Sequence, residues 1–60
     1  MTDFEKMVTK LKESPYTEER HFEVWDWGSD SKRIDFRPST LCDEWICFKY
    51  DNNGNLTEIF

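Results

Sequence analysis

Lys32-Arg33-Ile34-Asp35-Phe36-Arg37 is the stretch that decides the fold of this chain. Apolar Ile34 and Phe36 alternate with Arg33, Asp35 and Arg37, the period of two by which a strand turns one side to a core and the other to water. Strands of this kind belong to antiparallel sheets with a covering layer on one face only. The segments on either side must therefore pair with residues 32–37 and share their two faces.

The same period extends in both directions. In residues 44–50, Ile46, Phe48 and Tyr50 form one set and Trp45, Cys47 and Lys49 the other; in residues 20–27, Phe22 and Val24 oppose Glu23, Trp25 and Trp27. Residues 56–60 read as a further strand. The connections are Gly28-Ser29-Asp30-Ser31, residues 38–43 and Asp51-Asn52-Asn53-Gly54-Asn55, the last a strong hairpin signal because Asn and Gly accept positive φ. Connections this short make neighbouring strands antiparallel, so the sheet is a meander. Asp51, Asn53 and Asn55 also resemble the start of a calcium loop, but Gly54 misses the required sixth position, and the segment reads as a turn.

Before the strands the period changes to that of a helix. Phe4, Met7, Val8 and Leu11 fall at i, i+3, i+4 and i+7 within residues 3–13. Thr2 with Glu5 fits a capping box, Lys10 and Lys12 suit the last turn, and Ser14-Pro15 ends the element. So short a helix is unstable alone, and its apolar stripe must dock on the sheet. The expected fold is α+β, an N-terminal amphipathic helix on one face of a three- to four-stranded antiparallel meander, forming one domain over residues 1–60. Phe22, Val24, Ile34, Phe36, Ile46 and Phe48 are the expected sheet half of the core.

Composition limits the function. Sixty residues bury only about 60% of their unfolded surface, and the 17% of residues that are aromatic help to offset the small core. A net charge of -5 and a pI near 4.6 oppose general affinity for nucleic acid or anionic membranes, and favour a protein partner with a basic surface. No apolar run is long enough to span a membrane, and Asp3 and Glu5 stand where a signal peptide would be basic and then apolar, which predicts a cytoplasmic location. Cys42 and Cys47 are spaced so that they point to opposite faces of an extended segment, which predicts free thiols. With His21 and Asp43 they lack the second ligand pair of a zinc site, so neither metal nor other cofactor is expected. A single His and no located base for either thiol argue against an enzyme.

The face left over by the core carries the functional expectation. Trp25, Trp27 and Trp45 lie there with Arg33 and Arg37, residue types enriched at interface hot spots. An alternative keeps the same residues structural, the tryptophans stacking with the arginines across strands or being covered by residues 56–60 or the Tyr16 loop. Asp26, Asp30, Asp35, Asp43 and Glu44 are the acidic candidates for contact with a basic partner. In size, acidity and want of catalytic equipment the whole chain resembles small phage or mobile-element proteins that block host nucleases or defence complexes, the anti-CRISPR proteins among them, a resemblance of type carried by no motif. It implies an inhibitor or modulator of a larger nucleic-acid-processing or defence protein. The alternative function is a single-stranded nucleic-acid binder that stacks bases on the aromatic face, which the acidic residues oppose.

Overall fold

A computed structural model describes all 60 residues as one helix, α1 (Asp3–Glu13), followed by strands β1 (Phe22–Asp26), β2 (Lys32–Phe36), β3 (Ile46–Tyr50) and β4 (Leu56–Ile59). The strands pair antiparallel in the order β1-β2-β3-β4, the expected meander. Register aligns Phe22 with Phe36 and Ile46, and Val24 with Ile34 and Phe48, so the apolar sets of all these strands share one face.

Local chemistry accounts for the helix ends. Thr2 Oγ1 accepts the Glu5 N–H at 3.1 Å and Glu5 Oε1 accepts the Thr2 N–H at 3.0 Å, a complete capping box. At the other end Ser14 donates both its N–H and its hydroxyl to the Leu11 carbonyl, and Pro15 follows. The helix lays Phe4 and Leu11 onto the sheet, where they are buried with Phe22, Ile34 and Tyr50. Each such side chain contributes roughly 1.5–3 kcal/mol by leaving water. Met7, Val8, Tyr16, Val24, Phe36 and Phe48 surround this centre.

The core departs from expectation at one strand end. Ile46, expected inside, is 40% exposed, and Tyr50 at the other end of β3 is buried instead, its ring edge-on to Phe4 at 5.3 Å. The reason is where the helix starts. The Phe4 N–H donates to the Gly54 carbonyl at 2.9 Å and the Leu56 N–H to the Asp3 carboxylate at 3.0 Å, which ties the start of α1 to the β3–β4 turn beside Tyr50. A helix about 10 Å wide cannot also cover a sheet whose strands lie ~4.8 Å apart and number four, and the strip over Ile46 and β4 stays open.

β4 contains a bulge. Tyr50 faces Leu56 and Lys49 faces Glu58, which leaves Thr57 as the extra residue, its hydroxyl donating to the Lys49 carbonyl at 3.1 Å. Leu56 and Ile59, three apart, thereby come to the helix side together.

Candidate partner-binding face

The face turned away from α1 is built by the other half of each alternation. Glu23, Asp35 and Cys47 form one row across β1, β2 and β3, and Trp25, Arg33 and Lys49 the next. Phe60 exchanges backbone hydrogen bonds with Cys47 at 2.9 and 3.3 Å, which extends the first row beyond β4, while Glu58 opposite Lys49 extends the second.

Cations lie over rings along this face. The Arg33 guanidinium sits 5.1 Å from the Trp25 ring centre, Arg37 4.3 Å from Trp45, and the Lys49 ammonium 4.7 Å from Phe60. Such contacts contribute about 0.5–1 kcal/mol each where water reaches them. Both arginines are also held elsewhere. Arg33 donates through Nε and Nη2 to the two oxygens of Asp35, each at 2.8 Å, while Arg37 donates to the carbonyls of Arg20 at 2.6 Å and Cys42 at 3.1 Å. Arg37 thus joins the start of β1 to the β2–β3 connection, and Trp45 is packed beneath it.

Electrostatics follow from these bonds. The Asp35 hydrogen bonds raise the Arg33 pKa, fixing its charge. Burial, and then the Asp35 hydrogen bond, push the Cys47 thiol above its ordinary range, which favours its protonated form. Both cysteines are free, and Cys42 Sγ donates to the Glu44 carbonyl at 3.3 Å. His21 Nδ1 accepts the Thr17 N–H at 3.1 Å. No trio of His, Cys, Asp and Glu side chains converges as a metal-ligand set.

The expected site residues are only partly brought together. Trp25, Arg33 and Asp35 form one unit, and Arg37 with Trp45 another. Trp27, 51% exposed, stands at the end of the face above a shallow concavity of about 470 Å³ that Ser31, Arg33, Lys49 and Thr57 help to line. Asp30 is exposed in the β1–β2 hairpin, whereas Asp43 and Glu44 are exposed in the β2–β3 connection at the opposite end of the sheet. Asp35 differs from the expected acidic rim: it is buried at 8% exposure with its carboxylate filled by Arg33. The Lys49–Phe60 pair was not among the expected contact residues. Its signal was hidden, because only the bulge at Thr57 puts Phe60 on this face. The Tyr16 loop packs on the core side, its ring 4.9 Å from that of Phe36.

No protein-family model, curated protein or solved structure matches this chain.

Proposed function

We propose that this chain is a small protein-interaction module that docks through the open face of its sheet. The observation that carries the reading is the set of cation–ring pairs Arg33–Trp25, Arg37–Trp45 and Lys49–Phe60 on a face that no other element covers. Ordering a long side chain on binding costs about 0.5–1.5 kcal/mol, and here the arginines are ordered beforehand by Asp35 and by backbone carbonyls. Trp27, exposed and free of such a cation, is the anchor offered to a partner pocket.

Charge favours protein over single-stranded nucleic acid. On the face itself Arg33, Arg37 and Lys49 are matched by Glu23, Asp35 and Glu58, and the whole chain carries -5, so phosphates gain little there. Two of the three tryptophans that would stack bases, Trp25 and Trp45, already hold cations. Outward carboxylates at Asp30, Asp43 and Glu44 suit a partner with basic surface around an apolar pocket. The role we assign is binding without chemistry, as an inhibitor or modulator of a larger protein; the nucleic-acid-processing or defence class of that partner rests on the size and acidity of the chain.

Affinity capture from the native host tests this when run side by side with wild-type protein and a Trp27→Ala variant. A stoichiometric protein retained by the wild type and lost by the variant, with unchanged unfolding curves, supports the reading. Recovery of RNA or single-stranded DNA in its place, or equal retention by both proteins, overturns it.

A further inference from the structure

The helix side of the sheet has a second surface with a different chemistry. Between α1 and β3–β4 runs a groove composed of adjoining hollows of about 300 and 200 Å³ that share Met7 and Lys10. Phe48 and Phe36 line one hollow and Tyr50 and Leu56 the other, so the groove follows α1 from Asp3 to Ser14. Beyond the hollows the same side of the sheet stays apolar: Ile59, opposite Phe48, is 57% exposed, and Ile46 and Leu56 are about two-fifths exposed.

The inner bank is charged. Lys6 and Lys10, one helical turn apart on α1, line the groove, and neither has a carboxylate within ion-pair distance; Asp3 lines it too at the helix start, but its carboxylate accepts the Leu56 N–H, and the two lysines leave the bank net positive. Lys32, by contrast, is bonded to Asp26 at 2.9 Å. In a chain of net charge -5, unpaired lysines beside an uncovered apolar strip mark a place where the complement is negative.

We propose that this groove receives an amphipathic helix from a partner protein, its apolar stripe on Met7, Phe48, Leu56 and Ile59 and a row of Asp or Glu facing Lys6 and Lys10. A helix fits because packed helices lie 8–10 Å apart, so one laid beside α1 would rest over the strip that α1 leaves open and complete the layer. It would bind by the helix-in-groove mode. A second copy of this chain is a poorer occupant: its one helix already spends its apolar stripe on its own sheet, and the copy brings a like net charge. This surface is separate from the tryptophan face, so either assignment can fail alone.

The test uses a synthetic helical peptide with leucines at i, i+3, i+4 and i+7 flanked by glutamates, and a twin with lysines in place of the glutamates. Each is titrated into isotope-labelled protein and followed by NMR. The acidic peptide should bind at least about tenfold more tightly, a difference of about 1.4 kcal/mol, and shift the signals of Met7, Phe48, Leu56 and Ile59. Lys6→Glu with Lys10→Glu should reverse the preference, and Lys6→Gln with Lys10→Gln, a milder change, should abolish it. Equal affinity for both peptides, no binding at millimolar peptide, or shifts confined to the Trp25 and Trp27 face would overturn the proposal. So would a concentration-dependent dimer that protects the same groove residues without peptide.

Discussion

Thr2 stands where a side chain on Gly54 would be. A Cβ at position 54 would meet the Cβ and Oγ1 of Thr2 at 2.7 Å, closer than real Cβ contacts come. Gly54 also has φ +85 and is buried, so the turn residue and the helix cap are packed as one unit that fixes where α1 begins on the sheet. That anchoring decides which strip the helix covers.

Gly54→Ala is accordingly expected to cost about 3 kcal/mol or more, through left-handed strain together with displacement of the Thr2 cap. Gly28, at φ +68 with nothing near its missing Cβ, isolates the strain alone, and Gly28→Ala should cost about 1 kcal/mol. Urea midpoints of the two variants measure the difference; if they coincide, Thr2 yields freely and the anchoring is not structural.

Leu11 is 6% exposed at the centre of the helix–sheet layer. Leu11→Ala should lose ~2–5 kcal/mol by leaving a cavity, enough to unfold much of so small a domain. Lys10→Ala, one residue away and exposed, should stay within about 0.5 kcal/mol of wild type in the same denaturation series.

The tryptophans should separate by environment. Trp27→Ala is expected to leave stability within about 1 kcal/mol while weakening partner binding by ~2 kcal/mol or more. Trp25 and Trp45, half-buried under arginines, should cost more stability when truncated. Acrylamide quenching reads the same division: replacing Trp27 with Phe should remove most of the quenchable emission, and strong quenching that survives the replacement would contradict the packing under Arg33 and Arg37.

Acid should destabilise the fold through its turn and cap carboxylates. Asp51 is held below the usual carboxylate range by the Asn55 and Asn53 N–H groups, Asp26 by the Lys32 ammonium and the Gly28 N–H, and Glu5 by the Thr2 N–H. A folded pKa lower than the unfolded one means that the charged form favours folding. This contribution is fully present above the unfolded pKa values near 4 and is lost as pH falls through the lower folded values. Asp51→Asn should therefore flatten the decline of the urea midpoint below pH ~5, and an unchanged acid limb would show that Asp51 does not contribute to it.

Thiol chemistry should single out Cys47 as the slower cysteine. With its pKa raised by burial and by Asp35, it should resist iodoacetamide in the native protein at neutral pH and react once the chain is unfolded. Asp35→Asn should speed its native modification by removing the carboxylate, with mass spectrometry following each site. Rapid native labelling of wild-type Cys47 would mean that this face opens readily.

The sequence by itself determined the class of fold, because its evidence is local. The alternation of residues 32–37 assigns two faces to every strand that pairs with it, the stripe from Phe4 to Leu11 needs one of those faces, and Thr2, Glu5 and Gly54 mark ends and turns by short-range bonds. It also placed Trp25 and Arg33 on one face, since parity along a strand is enough for that. Tertiary structure alone decided how those faces are used. Anchoring of α1 to the β3–β4 turn exposed Ile46 and buried Tyr50; the bulge at Thr57 sent Phe60 to Lys49 and Ile59 to the helix side; the register of β2 set Asp35 between Glu23 and Cys47, where it is buried. Each of these depends on contacts between residues distant in the chain, where a shift of one residue or a few ångströms reassigns a side chain, and no local pattern of residue types encodes that choice.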